Sequence, residues 1–360
     1  MTFLFLLAVA VAQPVSAPAS VPVAIAKSWP TKEGDVFLKD FRFGTGDVLP
    51  ELRIHYTTLG SPHRNAAGQI DNAVMVLHGT GGTGQQFLRP QFADELYGPG
   101  QPLDIRKYWI ILPDNIGHGK SSKPSDGLRM KFPKYDYDDM VEAQYRMLQS
   151  LGVKQLRLIA GTSMGCMHAF VWGETHPTFA KALFPLACEP VEIAGLNRMW
   201  RQLAIDGIEA DPAWTGGNYS AQPTQGLRTA QSLLFVAGSA PLYFQEQYPT
   251  RAKASAFAEE RVASAIKELD ANDTIYQLDS SRNYNPCPKL EAIIAPVTWI
   301  NSADDFINPR NLPVPEQAVK RMPKAQFRLI SETAETRGHG THTWAKFWKA
   351  DLISLLARSE

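Results

Sequence analysis

Short apolar runs that end at glycines or turn residues recur along the first half of this 360-residue chain. The run 73–78 (Ala-Val-Met-Val-Leu-His) is continuously β-favouring and leads into glycines. The stretches 108–112 and 156–160 repeat it, and 182–187 is a less regular copy. Residues 52–59 alternate well enough for one more strand. Between these runs, 137–151 and 164–176 read as helices. Short apolar strands alternating with helices imply βαβ units and a mostly parallel sheet, covered on both faces. Such sheets place ligand sites at the carboxyl ends of their strands.

The rhythm stops near Glu189. From there to Pro288 the text is rich in Trp, Gln and Ala, with helical pieces broken at 214–218 and at Gln222-Pro223. Strand patterns return at 297–300 and 326–330, followed by a closing amphipathic helix over 343–357. The chain therefore reads as one α/β domain in two parts, 27–189 and 289–360, interrupted by a helical lid over 190–288. The final strands need the first sheet as partner, which argues against an independent second domain. The remaining segment, 1–26, differs in character. Its apolar run 3–12 is too short to span a bilayer but suits the core of a secretory signal. Ala10-Val11-Ala12 offers a small-x-small cleavage site, although no Lys or Arg precedes the run. The expectation is a secreted or periplasmic protein with a signal peptide and flexible leader.

Composition changes this picture little. Lys+Arg and Asp+Glu balance at 36 each, and no charge block points to nucleic acid. The 44% hydrophobic content is that of an ordinary globular chain. Cys166, Cys188 and Cys287 show neither metal spacing nor a disulfide framework, allow at most one bridge, and leave no reason to expect a metal or other cofactor. No internal membrane span is expected, and a homodimer is among the assemblies the chain admits.

The chemistry concentrates where the strand at 156–160 runs into Gly161-Thr162-Ser163-Met164-Gly165 and then a helix. This is the context a G-x-S-x-G nucleophile elbow requires. The serine projects from a sharp turn, and the flanking glycines let strand and helix backbones approach. A serine hydroxyl is a poor nucleophile without a base, and the base needs an orienting carboxylate. In α/β-hydrolases the three follow in the order serine, acid, histidine. Asp304 and Asp305 lie in the loop after the strand at 297–300. Asp305 is preferred because Ser302, Asp305 and Pro309 fit the usual loop pattern, which leaves Asp304 as a solvated or turn-capping carboxylate. His339, between Gly338 and Gly340, is preferred as base over His342, which sits where the last helix is expected to begin. The oxyanion donors are expected to be the backbone N–H groups of Met164 and of Thr80, in the loop His78-Gly79-Thr80-Gly81-Gly82. That loop lacks the Lys-Ser/Thr ending of a phosphate-binding loop. His78, His118, His168 and Cys166 are read as turn-shaping or packing residues.

These motifs together resemble the homoserine O-acetyltransferase-like branch of the α/β-hydrolases. The resemblance is carried by Tyr56-Thr57-Thr58-Leu59-Gly60, by Asp71 to His78, by Asp138-Asp139-Met140-Val141-Glu142-Ala143-Gln144, by the elbow with Cys166-Met167 and Ala169, and by Gly338-His339. It implies double displacement, in which Ser163 is acylated and a second molecule takes the acyl group. Two departures bear on the acceptor. Gly340 stands where homoserine transferases carry an aspartate, and the lid stretch 226–235 lacks a recognisable Arg and Tyr pair for homoserine. The expectation is therefore a hydrolase of a small-molecule ester, lactone or similar acyl bond. The alternatives are an O-acyltransferase using a small alcohol or amine, and a non-catalytic binding protein on the same fold.

Overall fold

The computed structural model describes residues 28–360, so the expected signal segment lies outside the described residues. Eight strands form one sheet: β1 (Thr31–Arg42), β2 (Val48–Leu59), β3 (Ala73–Leu77), β4 (Trp109–Pro113), β5 (Leu158–Thr162), β6 (Leu183–Leu186), β7 (Val297–Ser302) and β8 (Ala325–Ile330). Their spatial order is β1-β2-β4-β3-β5-β6-β7-β8. The pairs β1–β2 and β2–β4 are antiparallel, and every later pair is parallel.

β1 is the strand the hydrophobic pattern misses. It begins Thr-Lys-Glu-Gly-Asp and is mostly exposed. As an edge strand it is set by its long pairing with β2 rather than by burial of one face.

The helices cover both faces. α1 (Pro90–Leu96), α2 (Tyr137–Ser150) and α3 (Met164–Thr175) belong to the first part of the core. Side chains alternate across a strand, and β3 shows it: Met75 and Leu77 join the face packed by α2 and α3, while Val74 and Val76 join the other. α2 starts on a reciprocal cap, in which Asp136 accepts from Asp139 N at 3.0 Å and Asp139 accepts from Asp136 N at 3.1 Å.

Next come α4 (Gly195–Glu209), α5 (Thr224–Ala237), α6 (Pro241–Gln247), α7 (Arg251–Ala265) and α8 (Ala271–Asp279). No strand lies between β6 and β7, and this helical segment has a small core of its own around Trp200, Ile205, Ile208, Leu227, Ile275 and Leu278. α9 (Val314–Arg321) and α10 (Lys349–Arg358) return to the sheet.

The closing helix is shorter than the periodicity predicts, starting at Lys349 rather than at 343. Residues Gly338–Thr343 and Ala345–Phe347 form separate 3-10 turns, divided by Trp344 at ψ 89°. The break lets Trp348 drop between Phe92 and Phe184, with ring centroids 5.6 and 5.4 Å away. A second difference concerns Cys166, which is not simply a packing residue. It is disulfide-bonded to Cys188, joining the first turn of α3 to the chain just past β6. No helix among the described residues is long and apolar enough to cross a membrane.

Candidate active site

Ser163 stands between β5 and α3 at φ 54°, ψ −112°, a backbone region that non-glycine residues seldom occupy. The neighbouring glycines explain how the turn closes. A Cβ at Gly161 would lie 2.0 Å from the Gly165 carbonyl oxygen, and one at Gly165 would lie 2.1 Å from that of Leu77. Only glycine fits at either place. The turn leaves the Ser163 hydroxyl half-exposed at the carboxyl edge of the sheet.

Two loops on the same edge meet it. His339 Nε2 lies 2.8 Å from Ser163 Oγ, and His339 Nδ1 lies 2.8 Å from Asp305 Oδ2. Asp305 is fully buried and also accepts from Asn308 Nδ2 at 2.8 Å and from Ile307 N at 2.8 Å. Burial, the largest influence, raises its pKa. The His339 charge and the donated hydrogen bonds outweigh it, holding the carboxyl below its ordinary value. An ionised acid, an imidazole and a hydroxyl in a hydrogen-bonded line can draw the hydroxyl proton onto the imidazole as Oγ attacks an electrophile.

The neighbouring candidates take different places. Asp304 makes no hydrogen bond to the His339 ring. Its Oδ2 accepts from Thr336 Oγ1 at 2.7 Å and from Gly338 N at 2.9 Å, and its Oδ1 accepts from Ser302 Oγ. It thus ties the β7 loop to the loop bearing His339, a bridge that its adjacency to Asp305 conceals in the sequence. His342 packs against His339 with ring centroids 5.0 Å apart, and burial lowers its pKa to about 3, so it is neutral.

The loop after β3 reaches the other side of Ser163. Gly79 lies so close that a Cβ there would come within 3.1 Å of Ser163 Cβ. Gly82 N donates to Gly79 O at 2.9 Å, a turn that leaves the Thr80 N–H outside its own hydrogen bonding. Met164 N is the first donor of α3 and has no acceptor within the helix. Beneath the turn is a buried polar network. His78 Nδ1 donates to Gly79 O at 2.9 Å, and His78 Nε2 accepts from Asn115 N at 3.0 Å. Gln144 continues it, donating to Asn115 Oδ1 at 2.5 Å and accepting from Trp172 Nε1 at 2.7 Å. Burial lowers the His78 and His168 pKa values, to about 3 for His168, so both are neutral supports of the turn.

One group was not anticipated. Glu189, just past β6, accepts from Asn301 Nδ2 at 3.2 Å. Burial first, then the charges of Asp305 and Glu316, push its carboxyl up to about 8. The sequence signal was only a glutamate at the end of a strand whose carboxyl edge carries the site.

Comparison with known proteins places this arrangement. The family model described as alpha/beta hydrolase fold matches residues 72–335. Homoserine O-acetyltransferase of Moorella thermoacetica is 37% identical over 210 residues, covering 52% of this chain and 54% of that protein, so the match spans about half of each. Homoserine O-acetyltransferase from Bacillus anthracis superposes with a TM-score of 0.80 at 21% identity, over 91% of this chain and 97% of its own. Esterase E22 superposes with the same TM-score of 0.80 at 18% identity, over 91% and 100%. Equal likeness to a transferase and an esterase speaks to the fold alone. The chain belongs to the alpha/beta hydrolase fold family, on the branch similar to the homoserine O-acetyltransferases.

Proposed function

We propose that this protein is a serine-dependent hydrolase of small-molecule carboxylic esters, lactones or related acyl compounds, acting through an acyl-Ser163 intermediate. The observation that carries the reading is the pair of 2.8 Å contacts from His339 to Ser163 Oγ and to Asp305 Oδ2. His339 Nε2 takes the Oγ proton as Oγ bonds to the acyl carbon, and then gives it to the departing alcohol. Asp305 holds the imidazole in the tautomer this needs and stabilises its charged form. The Met164 and Thr80 N–H groups receive the oxyanion. Water, deprotonated by the same imidazole, releases the acid.

Water is favoured as acceptor for two reasons. Gly340 offers no carboxylate beside His339. The arginine of α5, Arg228, is spent on a solvent-exposed pair with Glu259 at 3.3 Å. The second reading is transfer of the acyl group to a small alcohol or amine, supported by the homoserine O-acetyltransferase named among the sequence relatives. Export belongs to the same proposal: the Cys166–Cys188 bond suits an oxidising compartment.

A fluorophosphonate probe should label wild-type protein and spare Ser163→Ala, whose ester turnover should fall on the order of 10⁴-fold or more. Equal labelling of both would sink the triad. A p-nitrophenyl ester supplied with and without homoserine separates the readings. Turnover without acceptor supports hydrolysis, and turnover that requires homoserine would replace it with transfer.

A further inference from the structure

The chain between β6 and α4, the loop after β7 and the first turn of α3 frame a hollow of about 310 Å³. Its wall is mainly apolar, with Met167, Ile193 and Ile307 among the side chains that line it. Three more, Leu196, Phe306 and Leu312, are 50, 51 and 45% exposed, so they form an apolar rim that solvent reaches. Isolated apolar side chains are common on a protein surface, but three around one concavity leave it apolar from rim to wall.

The polar members of the wall are turned elsewhere. Asn308 Nδ2 donates to Asp305 Oδ2 at 2.8 Å, and Asn308 Oδ1 is shielded from solvent. Glu189 Oε1 accepts from Asn301, and its Oε2 is shielded likewise. Burial, then the charges of Asp305 and Glu316, keep the proton on Glu189 at neutral pH. The other carboxyl of the wall, Glu192, is exposed. No Lys or Arg is found among the described residues that line the hollow. An anionic ligand therefore has no cation to meet here, whereas an uncharged aliphatic group would leave water for a surface of its own kind.

The hollow adjoins the triad on two sides. Met167 stands one helical turn past Ser163, and its N–H donates to Ser163 O at 3.1 Å. That turn rises only about 6 Å along the helix axis. Phe306 and Asn308 belong to the loop that carries Asp305, whose Oδ2 meets His339 Nδ1 at 2.8 Å. The size is that of a small-ligand site, and roughly twice the ~150 Å³ that accommodates a benzene ring. We propose that this hollow takes an uncharged aliphatic chain of about six to ten carbons carried by the ester substrate. The proposal rests on the Ser163 reading for its ligand being substrate, but not for binding itself. The chain can belong to the acyl side of the ester or to its alcohol side.

Turnover by the wild type tests the chain, and binding to Ser163→Ala tests the hollow alone. p-Nitrophenyl hexanoate against p-nitrophenyl acetate probes the acyl side, and hexyl acetate against ethyl acetate the alcohol side. Each buried methylene is worth about four-fold, so in one pair kcat/KM should favour the longer ester by about ten-fold or more. Ala194 lines the hollow from an exposed position, so Ala194→Trp fills it, and Leu312→Glu charges its rim. Both variants should melt near the wild-type temperature and lower that ratio several-fold. In isothermal titration, Ser163→Ala should bind octan-1-ol about ten-fold or more tighter than octanoate. Ser163→Ala/Ala194→Trp should bind the alcohol several-fold more weakly. The proposal is overturned if neither pair favours the longer ester, if neither variant changes the ratio, or if octanoate binds as tightly as octan-1-ol. Fluorophosphonate labelling of the wild type reports on Ser163 independently. An unlabelled wild type whose Ser163→Ala variant still prefers octan-1-ol would lose the catalytic reading and keep the aliphatic site.

Discussion

Asp304 and Asp305 are adjacent in the chain and face different tasks. Asp305 meets His339, whereas Asp304 gathers three donors from the β7 loop and the loop that delivers His339. Removing the Asp304 carboxylate leaves the Gly338 N–H and the Thr336 hydroxyl without their acceptor. Asp304→Ala should therefore lower stability by about 1–3 kcal/mol in urea unfolding, with a loss of kcat and little change in KM. Glu189 makes a pH-dependent prediction. Its folded pKa of about 8 stands above an ordinary 4.5. The protonated form is therefore the one the fold favours. Its contribution is complete below the unfolded value and is lost as pH rises through about 8. Glu189→Gln keeps the neutral form at every pH, so its melting temperature should decline less than that of wild type between pH 5 and pH 8.5. An identical decline in both proteins would rule Glu189 out as the cause.

At the scale of elements, the elbow and the His339 loop show how backbone room decides which positions tolerate change. Gly165 abuts β3, where an added Cβ would meet the Leu77 carbonyl at 2.1 Å. Gly165→Ala should destabilise by roughly 3 kcal/mol and abolish turnover, because strand and helix must separate. Gly340 is the opposite case. A Cβ there meets only Arg337 Cβ at 3.6 Å. Gly340→Asp should fold with a melting temperature near that of wild type, and homoserine-dependent acyl transfer in this variant can then be measured directly. Gly338, between them, is held by the chain just past α5: its φ is +56°, and a Cβ would lie 2.3 Å from Ser239 O. α6 and the histidine loop are further joined by Arg337, whose guanidinium lies 3.6 Å from the Tyr243 ring centroid.

For the whole molecule, the Cys166–Cys188 bond ties the helix that follows Ser163 to the chain just past β6. It closes a segment with a sequence separation of 22. A loop of that size is worth about 3 kcal/mol through restriction of the unfolded chain. Cys166→Ala/Cys188→Ala should lose about that much stability in urea unfolding, and wild type in strong reductant should approach it once the buried bond is reached. A double variant as stable as wild type would show that the bond contributes nothing. The helical segment between β6 and β7 is the other large-scale feature. Its own core around Trp200 and Leu227 holds α4 and α5 together, while the Nη1 of Arg201 on α4 is buried with no hydrogen-bond partner.

Local regularities in the sequence carried much of this. Strand–helix alternation, the G-x-S-x-G turn and the order Ser163, Asp305, His339 were legible because each depends on residues close together in the chain: apolar periodicity, glycines where a Cβ cannot fit, and loops that follow strands. The helical segment between β6 and β7 was legible as a break in that rhythm. Other features depended on tertiary structure. β1 is an exposed edge whose register comes from β2, not from its own pattern. The closing helix is cut short because Trp348 must fill a space between Phe92 and Phe184. The pairing of Cys166 with Cys188, the clamp made by Asp304, the raised pKa of Glu189 and the unpartnered Arg201 all arise from groups distant in sequence meeting away from water. Periodicity cannot encode which of them meet, because a low-dielectric contact is a property of the folded neighbourhood and not of the residue.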